Sequence, residues 1–550
     1  MKRRDATSSI RLQVMWTRLI ALVEEQAQTL LRTAFSPIVR ESGDLSAGIF
    51  DLQGRMLAQA VTGTPGHINT MARSVGYFLD VFPISAMAAG DVFVTNDPWH
   101  GTGHLNDYVV LSPAFHNGRI VALFACTGHM TDVGGIGLSP DGTDLFMEGV
   151  AIPIMKLVDD RRINETLMAI AKANSRTPFE LEGDIYSLMA SNETAKRRLS
   201  DVLDEVGQED IAELADYVID SSRQAISDRI AGLPGGEANY AMVVDGFEAP
   251  VTLQAKLTIV GSRITVDWSG TTAASRFGIN VPLNYAAAYT SYALACAIAG
   301  DIPNNHGTLS GFEIRAPEGS ILNAVRPMPV ACRHIIGGLL PDVIFGCLDQ
   351  LLPGRVPAES ASALWTLTLR GDGAEAFVIS IVTNGGTGAR PGLDGLSATS
   401  FPSAVRGTPV EIVEAKTPLI FWRRELRSGS GGDGQWRGGL GQDMEIGILG
   451  ADPFRLFAAF DRISQPARGR SGGTSGGCGE LFIKGGPALA GKGTHLINAG
   501  DRLVVRTPGG GGFGPPNQRS HETRAEDLAA GYAGEYRSDD HQGREKGVNK

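Results

Sequence analysis

Asn96 to Val110 read NDPWHGTGHLNDYVV: two histidines, two aspartates and two glycines, then an apolar run. His100 and His104 are four apart, and His104 and Asp107 three apart. A helix would align such side chains. Pro98, Gly101 and Gly103 argue against a helix, so a folded-back loop must bring them together. A second stretch, ACTGHMTDVGG, repeats the His-x-x-Asp spacing at His129 and Asp132. If two adjacent strands end in these loops at one sheet edge, His104, Asp107 and His129 supply two imidazoles and one carboxylate. That set suits one divalent transition metal, Zn, Mn or Fe, with positions left open. A metal held that way activates water or polarises a carbonyl.

An ordinary reading stands beside this one. Asp and Asn in turns often bond their own backbone, and a histidine beside a strand is often only packed. Five of the ten histidines fall within residues 67–129, and four of them (His67, His100, His104, His129) are candidates here, which weighs toward a metal. Other polar stretches are weaker. RESGDLSAG offers Arg40, Glu41 and Asp44, where a salt-bridged turn is the simpler reading. DGTDLFMEGVAIP offers Asp141, Asp144 and Glu148. Glu148 is a candidate general base or an ordinary helix-end carboxylate. Cys126 sits in an apolar strand and reads as core.

The elements that must position these residues follow from periodicity. Residues 7–34 carry apolar side chains at helical spacing. LSAGIFDLQGRMLAQ reads as two strands around Gln53-Gly54, and HINTMARSVGYFLDVF as a helix. Strands flank the His/Asp loop, with a turn at Asn117-Gly118. Residues 160–233 read as helical and stop at Pro234-Gly235-Gly236. VTLQAKLTIVGSRITVDWSG then alternates with period two around Gly261-Ser262. YAAAYTSYALACAIAG is a buried helix. From about residue 425 glycine dominates and punctuates short strands. The 70 glycines among 550 residues are aperiodic and imply many tight turns.

The expected fold is multi-domain α+β. The divisions are 1–234 with the metal residues, a β-rich 235–424, a Gly-rich β region 425–516, and a loose or partner-docking tail 517–550. At 550 residues the chain exceeds one core. Its apolar 43% and charged 20% are those of a globular protein. A net charge of −11 argues against nucleic-acid binding. Five scattered cysteines without a CxxC suggest a reducing compartment. Arg11 and Arg18 interrupt any leader-like apolar run, and no N-terminal run suits a membrane span. A cytoplasmic protein is expected.

Three familiar motifs fail. GPALAGK (486–492) has P-loop spacing, but Gly493 stands where a Ser or Thr must bind Mg²⁺, and a strand pattern follows. GSGGDG (429–434) precedes no helix. GRSGG (469–473) resembles a nucleophile elbow around Ser471, again without its helix. The chain shows no nucleotide site of its own.

RESGDLSAGIFD, GDVFVTNDPWHGTGHLNDYVV, GHMTDVGG, MEGVAIPIMKL, WRGGLGQ and TPGGGGFGPP occur in one order along the chain to about Pro516. In them the chain resembles the hydantoinase B/oxoprolinase family. That family includes B subunits of ATP-dependent N-methylhydantoinases, lactamases of the caprolactamase type, and alpha subunits of acetone and acetophenone carboxylases. The resemblance implies metal ligands at His104, Asp107 and His129. It departs from the family at Thr102, where Gly is common, at His100, and around FDRISQPARGRSGG. It also implies a hetero-oligomer in which a hydantoinase A-type partner binds ATP and Mg and phosphorylates the substrate's amide or enolate oxygen. Water activated at the metal would then open a cyclic amide (a hydantoin, 5-oxoproline or lactam). A ketone carboxylase subunit and a non-catalytic scaffold are the alternatives; chain length leans to the hydrolase. Asp132 is a candidate for orienting a ligand imidazole.

Overall fold

The structure is a computed structural model describing residues 6–362 and 364–533. Of the expected tail 517–550, residues 534–550 lie outside the described part. The 517–533 segment ends in a helix, His521–Ala529, fastened by Asp527 to Arg437 and Arg519.

The N-terminal region is built on a seven-stranded sheet in the order β2-β1-β5-β4-β3-β6-β7. Its strands are β1 (Leu45–Phe50), β2 (Met56–Gln59), β3 (Val92–Thr95), β4 (Asp107–His116), β5 (Arg119–His129), β6 (Met155–Asp159) and β7 (Arg162–Ile163). All neighbouring strands in this order pair antiparallel. β4 and β5 are apolar at successive positions because both faces are covered. On one face, Phe124 and Ala122 pack on helices Ala6–Thr33, Pro178–Val206 and Ala212–Ala231 through Trp16, Leu19, Leu199 and Val218. On the other, Val109, Leu111 and Leu123 meet Met71, Val75 and Phe78 of helix Pro65–Val81. The helix expected over 7–34 and the hairpin around Gln53-Gly54 are both present.

The region expected to be helical over 160–233 holds three helices, Glu165–Asn174, Pro178–Val206 and Ala212–Ala231. After it, strands Gly236–Val244, Val251–Val260 and Arg263–Asp267 form antiparallel hairpins, with Phe312–Arg315 added in parallel. The period-two pattern is obeyed: Leu253, Ala255, Leu257 and Ile259 are buried. Two further four-stranded sheets complete the C-terminal half. One apolar cluster runs from Leu138 through Leu340 to Val505 and crosses the 424/425 division. Residues 333–351 are long and apolar enough to span a membrane, but 83% of that window is buried in this core.

The C-terminal glycines correct an expectation. Many do not make turns. Segment 507–514 threads between three other glycine-rich segments, and backbone bonds backbone. Gly432 N donates to Gly510 O (2.9 Å), Gly510 N to Gly439 O (3.0 Å), and Gly512 N to Thr474 O (2.9 Å). A Cβ on Gly438 would lie 1.9 Å from Gly510 O. The absence of side chains is what lets these chains approach, so close packing rather than turn geometry selects glycine there.

Candidate metal centre

Asp107 opens β4 and His129 closes β5, and the two are register partners at one end of the sheet. His104 comes from the loop before β4. The polar residues around it build that loop. Asp97 Oδ1 accepts from Trp99 N (2.9 Å) and His100 N (3.2 Å), an Asx-type turn. Asn96 accepts from Ile152 N (2.6 Å), and Asn106 donates to Met130 O (2.9 Å). Asn284 Nδ2 reaches from helix Leu283–Leu294 to Pro98 O and Gly101 O, both at 3.0 Å. Gly103, at φ +100°, lets Arg333 close in: a Cβ would sit 2.5 Å from its Cδ.

One ligand-type atom from each of His104, Asp107 and His129 lies within 4.8 Å of the others, and all three residues are buried. His104 Nδ1 is 2.9 Å from Ala331 O. A carbonyl only accepts, so Nδ1 carries the proton and Nε2 presents a lone pair. That Nε2 lies 2.8 Å from Asp107 Oδ1 without a hydrogen bond. Burial, then the Arg333 charge, push the His104 pKa down to about 4, so the ring is neutral and this is no ion pair. Two acceptors face each other in a buried site, an arrangement that a cation between them satisfies. His129 Nδ1 is 3.2 Å from the same Oδ1, and its Nε2 is buried without a partner. This donor set fits a divalent transition metal.

The second oxygen of Asp107 is fully engaged. Oδ2 accepts from Arg333 Nη2 (2.5 Å) and Thr102 Oγ1 (2.7 Å), and His67 Nε2 lies 3.0 Å away. Only Oδ1 is left toward the imidazoles. Burial alone would raise the Asp107 pKa, but the positive groups facing Oδ2, His67 and Arg333, outweigh it and hold the carboxylate well below its usual range. Burial would lower His67; Asp107 and Asp44 overcome it and raise that pKa. Arg333 also donates to Thr102 O (2.7 Å) and stacks 4.0 Å from the Tyr285 ring.

The remaining predicted residues separate. Asp132 does not orient an imidazole. After β5 the chain turns away, and the Asp132 carboxylate accepts from Arg176 Nη1 (2.6 Å) and Arg176 N (2.5 Å). Glu148 is not placed as a base. Its Oε1 accepts from Val330 N (2.6 Å) and Ala331 N (2.8 Å), and burial pushes its pKa up to about 8. It therefore supports the peptide whose carbonyl fixes His104. His100 is half-exposed beside Tyr77, outside the centre. Arg40 pairs with Glu41 (2.9 Å), the simple turn expected, whereas Asp44 sits 3.8 Å from His129 Nδ1 and 3.5 Å from His67 Nδ1. Asp144 caps a short helix through Met147 N, and Asp141 bonds Ser139 and Thr494. Cys126 is core, and all five cysteines are free.

Sequence reasoning missed Arg333 and His334. They follow Cys332 in ACRHIIGG, where two adjacent basic side chains at the head of an apolar run are the only signal. Together with His104, His129, His67 and Asp44, they line a cavity of about 30 Å³, walled by Ile38, Leu138 and Tyr289 among others.

The rejected motifs stay rejected. Lys492 opens a strand, Lys492–Ile497, and is buried against Asp461 (3.0 Å). No helix follows Gly434 or Ser471.

The sequence pattern of the hydantoinase B/oxoprolinase family matches residues 8–516. The chain is 32% identical over 532 residues to an uncharacterized protein of Methanocaldococcus jannaschii, covering 94% of this chain and 93% of that one. It is 29% identical over 547 residues to a 5-oxoprolinase of Pestalotiopsis fici, covering 94% of this chain but 42% of the relative, so it spans under half of that protein. Caprolactamase subunit beta of Pseudomonas jessenii is 26% identical over 565 residues, with 96% and 94% covered. The fold matches the crystal structure of ATP-dependent caprolactamase from that organism with a TM-score of 0.88 at 23% identity, over 96% and 94% of the two chains. The chain belongs to the hydantoinase B/oxoprolinase family.

Proposed function

We propose that this chain is the B-type subunit of an ATP-dependent hydrolase that opens cyclic amides, a hydantoin, 5-oxoproline or lactam. The observation that carries this reading is the buried pairing of His104 Nε2 with Asp107 Oδ1, both acceptors, beside the unpartnered His129 Nε2. His104, Asp107 and His129 would hold Zn, Mn or Fe. Bound there, the cation supplies a Lewis acid that polarises a carbonyl-type carbon and acidifies water. The chain's own residues do the rest. Arg333, Thr102 and His67 clamp one oxygen of Asp107 and leave the other free. Glu148, through Ala331, fixes the tautomer and direction of His104.

The chain shows no P-loop of its own, which supports ATP and Mg binding on a separate A-type partner in a hetero-oligomer. The P. jessenii relative's designation as a subunit agrees with that. Free cysteines and ATP dependence support a cytoplasmic site.

Co-expression with the A-type partner and a screen of cyclic amides with ATP tests the reading. Ring-opened amino acid together with ADP, absent without either subunit, is the expected result. Carboxylation of a ketone instead would replace the hydrolase with the carboxylase. Turnover by the partner alone would make this chain a scaffold.

A further inference from the structure

Among the polar groups lining the cavity, most are already taken. Arg333 is held by Asp107 and Thr102. Asp44 Oδ1 accepts from Thr64 Oγ1 (3.1 Å). Ser362 Oγ donates to Asp342 Oδ2 (2.6 Å). His67 Nε2 lies against Asp107, and its Nδ1, though without a hydrogen bond, faces Asp44 Oδ1 at 3.5 Å. His334, in the short helix Arg333–Gly337, is different. It lines the same cavity, its residue is only 8% exposed, and its Nε2 is buried with no partner. A buried ring nitrogen is costly to leave unbonded, so something in the cavity must take it. The cavity, at about 30 Å³, has room for water rather than for another side chain.

We infer that His334 is the catalytic residue that holds the attacking water and carries its proton. This rests on the cyclic-amide reading above. Phosphorylation of an amide oxygen leaves a C=N bond at the ring carbon. Water adds across it. One O–H bond breaks and its proton passes to His334 Nε2, while the oxygen bonds to the ring carbon. The electron pair of the C=N bond moves to the ring nitrogen, which then takes the proton from Nε2. The tetrahedral carbon then breaks its bond to that nitrogen, which leaves as the amine after taking the hydroxyl proton through Nε2. The acyl phosphate left behind is hydrolysed to carboxylate and phosphate, so atoms and charge balance and the imidazole is returned neutral. Burial, then the charge of Arg333, keep the ring neutral, which supports the geometry. The assignment also separates two tasks: His104 and His129 face Asp107, whereas His334 has no carboxylate in hydrogen-bond reach among the described residues.

The test uses the full two-subunit complex, wild type beside H334N and H334A. The expected result is a kcat roughly 10²–10⁴-fold lower in both, with KM and metal content unchanged. Added imidazole should restore part of the H334A rate. A second readout needs no turnover. In the Co²⁺-substituted chain, the pH midpoint of the visible band should shift between wild type and H334N, because the water loses its partner. Metal loss in H334N would make His334 a ligand and overturn the proposal. An unchanged rate, or a loss that imidazole does not rescue and that tracks thermal stability, would overturn it too. If the wild-type complex opens no cyclic amide, the hydrolase reading fails, while the Co²⁺ midpoint still decides the role of His334.

Discussion

Asp107 and His129 stand opposite each other across the β4–β5 ladder, the first residue of one strand against the last of the other. The ladder sets their separation before any ligand arrives. Two sequence stretches 22 residues apart thereby become one site. Such preorganisation makes Asp107 the most sensitive position. Asp107→Asn keeps the shape but removes the charge and leaves Arg333 buried without its counter-ion. The expected outcome is loss of bound metal and a destabilisation of about 3–5 kcal/mol, read by elemental analysis and urea unfolding. Full metal content with wild-type stability would show that the carboxylate is dispensable.

Arg333 acts through its fork, not only its charge. Its Nε and Nη2 serve Thr102 O and Asp107 Oδ2 at once. Arg333→Lys keeps the charge and loses that geometry. Metal affinity should fall by roughly 10–100-fold, as for other groups that orient a ligand. A competitive chelator titration measures it; equal affinities would reduce Arg333 to a packing role.

Glu148 gives a pH dependence with a defined sign. Burial raises its pKa from 4.5 to about 8 in the folded chain. Between those values the folded state keeps a proton that the unfolded state releases. The stabilising contribution is therefore complete below pH 4.5 and is lost as pH rises to about 8, by at most ~1.4 kcal/mol per unit. Glu148→Gln retains an acceptor for Val330 N and Ala331 N and cannot ionise. The difference in unfolding free energy between the two proteins should move in favour of the variant across that window. A flat difference would mean that Glu148 is ionised throughout.

Two glycines separate close packing from turn geometry. Gly438→Ala drives a Cβ to 1.9 Å from Gly510 O, where backbone meets backbone and neither can yield cheaply. Gly485, at φ +72°, has open space for a Cβ. Gly485→Ala should cost about 1–2 kcal/mol, the ordinary price of a left-handed residue. Gly438→Ala should cost several times more or prevent soluble expression. Comparable melting temperatures for the two would contradict the packing account.

Much of this was legible in the sequence. The helix over 7–34, the hairpins and the His104/Asp107/His129 grouping follow from local periodicity and spacing. What was not legible depends on distant backbone. Arg333 reaches Asp107 across 226 positions, and nothing local marks it as a clamp. Glu148 lies where a base was expected, but its oxygen is taken by peptides 182 and 183 positions away. Asp132 repeats the spacing of Asp107, yet it follows its histidine out of the strand, where Asp107 begins one. That difference in strand position, invisible in the spacing, sends it to Arg176. The C-terminal glycines misled for the same reason: composition marks a missing side chain, while only the fold shows which neighbour needs the room.

Elemental analysis of the purified chain, wild type beside His104→Ala, tests the central claim most directly. The expected result is close to one divalent transition metal per wild-type chain, lost in the variant. Equal metal content in the two, or a wild-type chain that binds none even with its partner subunit present, would contradict a metal centre at His104, Asp107 and His129.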